Sequence, residues 1–152
     1  MPDAWSSPGF LLWRATLRWQ RTMVDTLKPF GITHVQFVLL ASTWWICENG
    51  GPPRQRDLAE HAGTDPMMTS QVVRTLEKAG LLTRTPDPDD ARAMRLAPTK
   101  AGKALAPRAI AAVEAADRAF FAEVPERSRA GMRAALVALG GRRSANDDRP
   151  AG

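Results

Sequence analysis

The chain is predicted to be mainly α-helical with one small β-hairpin, an α+β arrangement, and three observations support that class. Apolar residues recur every three or four positions over most of the sequence. One turn-rich break, Pro86 to Asp90, separates two short strand-like runs, and glycines and prolines punctuate the helical segments. At 152 residues, 44% hydrophobic and 24% charged, the chain has room for one globular domain and none for a second large catalytic one. Twenty-one Lys and Arg against 16 Asp and Glu leave a formal charge of +5, which favours polyanionic partners. One cysteine, Cys47, excludes an internal disulfide and a Cys-based zinc site, and a reducing cytoplasm is the expected home. No stretch approaches the ~20 apolar residues of a membrane span. Arg14, Arg18 and Arg21 interrupt what a signal peptide would require, so no membrane partner is expected.

Between Pro8 and Pro29, apolar Phe10, Trp13, Leu17, Val24 and Leu27 share one side of a long amphipathic helix closed by Pro29 and Gly31. Thr33 caps a second helix that is apolar on nearly all sides, from Val35 to Ile46, and that belongs in the middle of the domain. After Pro52 and Pro53 comes a short polar helix, Gln55 to His61, stopped by Gly63. Thr64 or Asp65 then caps a further helix with Pro66 at its first position, running to Ala79 with Met68, Val72, Leu76 and Ala79 as its inner stripe. Two short helices joined by a few residues containing glycine are a helix-turn-helix signal. Leu81–Thr85 and Met94–Ala97 read as the two hairpin strands, with Asp87, Asp89 and Asp90 as turn formers that load the tip with negative charge. From Thr99 the chain returns to helix, where Pro107 marks either a kink or the true first turn. A last helix from Pro125 to about Leu139 carries Met132, Leu136 and Leu139 on one face. The Gly-rich end, 140–152, is expected to be a disordered tail.

The order helix, helix, helix-turn-helix, hairpin, helix, helix resembles the MarR family of bacterial winged-helix regulators. "LAEHAGTDPMMTSQVVRTLEKAGLLTR" (Leu58 to Arg84) is similar to that family's helix-turn-helix, and "DPDDARAMRLAPTKAG" (Asp87 to Gly102) to its wing. In the second, an Asp-x-Arg pair, Asp90 and Arg92, precedes the second strand, and Thr99-x-x-Gly102 opens the next helix. "GITHVQFVLL" (Gly31 to Leu40) is similar to the start of the family's second helix. Two departures are visible: Ala97-Pro98-Thr99 stands where Leu-Thr is usual, and Ala91 occupies a wing position that is often basic. The resemblance implies one domain over 1–139, with dimerisation helices at 8–31 and 101–139. The winged helix-turn-helix then lies at 33–100, with its recognition helix about 66–79 and its wing about 81–98.

On the recognition helix, Met67, Thr69, Ser70, Gln71, Arg74 and Thr75 lie off the expected inner stripe and form the expected reading surface. Hydroxyls bond bases or phosphates, Gln71 suits adenine, Arg74 suits guanine or phosphate, and Met67 suits a thymine methyl. Arg92 is expected in the minor groove, oriented by or paired with Asp90. Arg84, Arg95, Arg54 and Arg56 are expected on phosphates, adding affinity without sequence information, with a plain surface charge as the equal alternative for each. From Arg54 to Lys103 nine basic residues face seven acidic ones, so attraction to DNA has to come from arrangement.

The resemblance further implies a homodimer on a pseudo-palindromic duplex and a small aromatic effector held near Trp13, His34, Trp44 and Trp45. For the three Trp residues the alternative is plain core packing, and for His34 a hydrogen bond at the helix entry is preferred. Cys47, in an apolar neighbourhood, reads as an inert thiol. No phosphate-cradling glycine loop and no paired histidines at metal spacing occur, and His34 and His61 lie on separate helices, so neither enzyme activity nor a cofactor is expected. The expected function is a dimeric, sequence-specific, DNA-binding transcriptional regulator, a repressor by preference, tuned by an effector. The alternatives are a winged-helix protein-interaction module or a small-molecule-binding protein without DNA binding.

Overall fold

In the computed structural model, residues 3–141 are described, and the expectation of a disordered tail lies outside them from residue 142 onward. Six helices and one antiparallel hairpin follow in the expected order: α1 (Pro8–Leu27), α2 (His34–Gly50), α3 (Gln55–Ala62), α4 (Pro66–Lys78), β1 (Leu82–Pro86), β2 (Met94–Pro98), α5 (Lys100–Phe121) and α6 (Glu126–Leu139). Short 3-10 turns at Ala4–Ser6 and Lys28–Phe30 flank α1. Among the described residues no single helix is long and apolar enough to cross a membrane.

Local chemistry accounts for the boundaries. Gly31 takes a left-handed φ of 68° after Phe30, which lets the chain reverse before α2. Thr33 and Gln36 then form a reciprocal capping box, the Thr33 hydroxyl accepting from the Gln36 N–H and the Gln36 side chain from the Thr33 N–H. Asp65, not Thr64, caps α4, its Oδ1 accepting from the Met68 N–H at 2.8 Å. The Thr64 hydroxyl is used elsewhere, 2.7 Å from the Thr69 hydroxyl. Pro107 lies inside one continuous α5. It is exposed, so the Lys103 carbonyl it cannot bond remains open to water.

Two cores share α2. One packs Leu39 and Leu40 of α2 against Leu58, Val73, Leu76, Leu82, Leu96 and Ala106, and so assembles the helix-turn-helix and the hairpin. The other packs Phe37 of α2 against Met23, Leu27, Ala109 and Val113, joining α1 to α5. Two stripes, in α1 and α4, differ in part from the sequence pattern. In α1 the inward residues are Met23 and Leu27 flanked by Trp19, while Trp13 and Val24 are exposed. In α4 the buried residues are Thr69, Val73 and Leu76, a face rotated by one position from the Met68–Val72–Leu76 stripe. Thr69 tolerates burial because its hydroxyl donates to the Asp65 carbonyl at 2.8 Å and meets Thr64. In α5 the inner positions are Gly102, Ala106, Ala109 and Val113, small residues that allow close helix approach.

Gly102 marks the tightest junction. Thr99 donates its N–H to the Leu81 carbonyl at 3.0 Å and its hydroxyl to the Gly80 carbonyl at 2.6 Å, which draws the start of α5 onto the end of the helix-turn-helix. A Cβ on Gly102 would fall well inside van der Waals contact with the Leu81 carbonyl oxygen. Gly102→Ala is therefore expected to lower stability by about 1–3 kcal/mol. Gly131→Ala, on exposed α6 with open space around it, is expected to raise stability by about 0.5–1 kcal/mol. Thermal denaturation of the two variants checks both signs.

Candidate nucleic-acid interface

The recognition surface follows from the α4 burial pattern. With Thr69, Val73 and Leu76 inward, the residues opposite them are Met67, Gln71, Arg74 and Lys78, spaced four, three and four apart along one exposed face. Thr75 is exposed beside this face, and its hydroxyl donates to the Gln71 carbonyl at 3.1 Å. Ser70 is half-buried at its flank. Thr69, expected among the reading residues, is fully buried and its hydroxyl is engaged inside the protein, so it has no route to a base. Lys78, off the pattern that the sequence reading followed, and Met68, 43% exposed instead of inward, are the residues that reading missed. Counting the helical wheel from Thr69 instead of Met68 would have found both.

The wing is built around a buried carboxylate. Asp87 is 4% exposed, and its Oδ2 accepts from Arg54 Nε and Arg95 Nε, each at 2.8 Å. Its Oδ1 accepts the Asp89 N–H at 2.8 Å. This corrects the reading of Asp87 as one of three negative charges at the tip. Arg54 and Arg95, expected on phosphates, each give their Nε to the wing base, while about a third of each side chain stays exposed (32% and 33%). Arg95 Nη1 reaches the Pro52 carbonyl at 2.8 Å, and the Leu96 N–H donates to the Pro53 carbonyl at 2.9 Å. An isolated bridge between Arg54 and Arg95 makes the Pro52–Arg54 segment a third short partner for the hairpin. The Asp89 N–H is the largest single influence holding the Asp87 carboxyl below the usual carboxylate range; burial works against it, and the two guanidiniums add to it.

Asp90 does not pair with the Arg92 guanidinium; its Oδ1 accepts the Arg92 N–H at 3.0 Å and so turns the backbone. Arg92 is exposed, and among the described residues its guanidinium has no ion-pair partner. Arg84 is half-buried and bonds Glu77 at 2.5 Å, tying β1 to the last turn of α4. Arg56 is exposed at the start of α3. Between that start and the wing lies a cleft of about 290 Å³ lined by Arg54, Gln55, Arg56, Arg84, Asp90 and Arg92. The arrangement offers one helix face with amide, guanidinium and ammonium groups, and beside it a finger tipped by an arginine. That pair fits adjacent grooves of a duplex.

The four expected effector residues are not brought together. Trp13 is 60% exposed on the outer side of α1, and Trp44 packs against the helix-turn-helix core. Trp45 stacks on His61 with ring centroids 6.0 Å apart. His34 alone lies at the α1–α2–α5 junction, edge-on to Trp19 at 4.9 Å and stacked on Phe37 at 6.5 Å. Trp19 Nε1 donates to Asp117 Oδ1 at 2.7 Å, and burial pulls the His34 pKa down against the opposing pull of Asp117. Cys47 is half-buried with its Sγ 3.7 Å from the Leu96 carbonyl, and burial pushes its thiol up, in keeping with the inert reading.

An exposed helix-turn-helix face braced by a hairpin defines a winged-helix DNA-binding protein. Residues 32–94 match the model of the MarR family. The chain is 46% identical over 117 residues to the HTH-type transcriptional regulator YdcH of Bacillus subtilis (strain 168), covering 77% of this chain and 80% of that protein. It is 33% identical over 116 residues to the HTH-type transcriptional repressor Rv2887 of Mycobacterium tuberculosis, covering 76% of this chain and 81% of the relative. Among solved structures it is similar to CouR from Rhodococcus jostii RHA1 bound to p-coumaroyl-CoA, with a TM-score of 0.77, 28% identity and coverage of 92% and 96%. The chain belongs to the MarR family, and its relatives are transcriptional regulators.

The depressed Asp87 pKa has a pH signature. The native carboxyl stays ionised where an unfolded Asp, with a pKa of about 3.9, takes up its proton. Its contribution is therefore intact above about pH 5 and is lost as the pH falls through the native value. The difference in thermal stability between wild type and Asp87→Asn is expected to be flat from about pH 7 to about pH 5 and to close below about pH 4. A gap unchanged down to about pH 3 would contradict this account of the wing base.

Proposed function

We infer that the protein is a dimeric transcriptional regulator that binds a pseudo-palindromic duplex, with α4 in the major groove and the Arg92 wing in the minor groove. The observation that carries this reading is the exposed Met67–Gln71–Arg74–Lys78 face beside an arginine-tipped wing. Gln71 and Arg74 are assigned to base edges, Met67 to a thymine methyl, and Ser70, Thr75, Lys78 and Arg56 to phosphates and nearby edges. Repression is the favoured sense, as in the name of the relative Rv2887. The site of action is the cytoplasm, where the chromosome of a bacterial cell lies, and the role is one of regulation without catalysis.

Dimerisation is supported by apolar surface that one protomer leaves uncovered. Leu11, Leu12, Trp13 and Val24 of α1 and Leu136, Val137 and Leu139 of α6 are each more than 40% exposed. A groove of about 290 Å³ between α1, α5 and α6 is lined by Leu12, Ala15, Thr16, Trp19, Phe120, Phe121 and Leu136. Burial of such surface against a twin chain offsets its contact with water, and a two-fold arrangement sets recognition helices about 34 Å apart. An aromatic effector is supported by the ligand bound to CouR and, in this chain, by the Trp19–His34–Phe37 cluster with its Asp117 handle beside the core that joins α1, α2 and α5. Such a ligand acts through unequal affinity for the DNA-competent and DNA-incompetent arrangements.

Fluorescence anisotropy with genomic duplex fragments tests the reading. Binding is expected to weaken by several decades between about 50 and about 200 mM salt. Gln71→Ala is expected to cost about 1–3 kcal/mol at one position of each half-site, and Arg92→Ala to lower the salt slope by about one. Binding that ignores salt would exclude the phosphate contacts. Leu136→Asp is expected to shift the sedimenting species from dimer towards monomer at micromolar concentration, and an unchanged dimer would remove α6 from the interface.

A further inference from the structure

The wing's own anchor has a consequence for DNA recognition that its charge alone would not suggest. Asp87 is buried at the base of the wing and ties together three parts of the chain. Its Oδ2 is shared by Arg54, at the start of α3, and Arg95, on β2, both at 2.8 Å. Its Oδ1 holds the Asp89 N–H at 2.8 Å, in the wing loop. The Asp87 N–H donates to the Ala93 carbonyl at 2.9 Å, closing the loop, and within that loop Asp90 Oδ1 holds the Arg92 N–H at 3.0 Å. A short series of bonds therefore runs from a buried carboxylate to the backbone of the exposed arginine.

We propose that Asp87 is the positioning residue of the wing, fixing the angle of the hairpin against α3 and thereby the reach of the Arg92 guanidinium into DNA. The inference rests on the DNA-binding reading above and goes beyond it by assigning recognition to a residue that touches no DNA. The anchor joins two guanidiniums that would otherwise repel each other, each 2.8 Å from one oxygen, and one of them, Arg54, lines the cleft shared with Arg56 and Arg92. Loss of the carboxylate frees the hairpin to swing away from α3. Asp87→Asn keeps one accepting oxygen for three donors that used two and turns an NH2 towards them, so the Asp89 N–H and the two Nε–H groups are no longer all held and the tip geometry loosens.

Simple electrostatics forecasts the opposite sign. Removal of a negative charge next to a phosphate-binding surface, with release of two arginines, should tighten DNA binding and steepen its salt dependence. Positioning forecasts weaker binding. The deciding experiment is a double-mutant cycle on residues 87 and 92, with anisotropy on an A·T-rich duplex of about 30 base pairs selected by the wild-type protein from random sequence. Asp87→Asn is expected to weaken binding by on the order of tenfold and to lower the salt slope by about one, as Arg92→Ala does. In the Arg92→Ala background the same substitution is expected to change affinity by less than about twofold, because the group it positions is gone.

Additive losses would overturn the proposal, as would tighter binding by Asp87→Asn. Arg95→Gln, which leaves Asp87 one guanidinium, serves as the second variant should Asp87→Asn fail to fold, and is expected to show the same non-additivity with Arg92→Ala. Failure of the wild type to select any duplex would sink the DNA reading itself. A silent Arg92→Ala with intact wild-type binding would sink the wing contact and this proposal together.

Discussion

The second helix has no polar side wide enough to face water, and the rest of the protein is arranged to cover it. Phe37 turns to α1 and α5, while Leu39 and Leu40 turn to the helix-turn-helix and the hairpin. Thr43, fully buried, returns its hydroxyl to the Leu39 carbonyl at 2.7 Å and so stays inside at little cost. Because the same helix forms a wall of both cores, a rotation or shift of α2 moves the DNA-reading lobe relative to the terminal helices. Close packing transmits such shifts as discrete rearrangements and not as gradual deformation. The Trp19–His34–Asp117 group sits at the start of this shared helix.

Charge is distributed by the same economy. Of the basic residues between Arg54 and Lys103, three are engaged with carboxylates: Arg54 and Arg95 with Asp87, and Arg84 with Glu77. These pairs hold the wing to α3 and to the end of α4. Arg56, Arg74, Lys78 and Arg92 stand exposed on the surface those pairs shape. A modest excess of positive charge is therefore compatible with DNA binding, since the negative residues of the wing are spent largely on architecture. Asp87 is underground and Asp90 turns the loop, so neither acts simply as a repulsive tip charge.

The element order, the Thr33 cap of α2 and the helix-turn-helix were legible because they depend on local rules. Thr33 with Gln36, Pro66 at the first position of α4, and Gly31, Gly63 and Gly80 at positive φ all act within a few residues. The α4 burial face was misread by one position, since a threonine with a satisfied hydroxyl packs as an apolar residue and its partner Thr64 is fixed only by the fold. In α1, apolar periodicity selected Phe10, Trp13, Leu17, Val24 and Leu27; the protomer buries Leu27 together with Met23, and leaves Trp13 and Val24 exposed. The chain carries two apolar stripes there, and hydrophobicity does not say which one faces the protomer's own core.

Sequence by itself determined the class of fold, the position of the reading helix and the presence of an arginine at the wing, because these follow from periodicity, capping and turn chemistry over short spans. Tertiary structure decided which charges are available to DNA. Arg54 and Asp87 are 33 residues apart and only meet when α3 and the wing are packed together. Whether an ionic group serves a ligand or a neighbouring side chain depends on that distant encounter, and no local pattern encodes it.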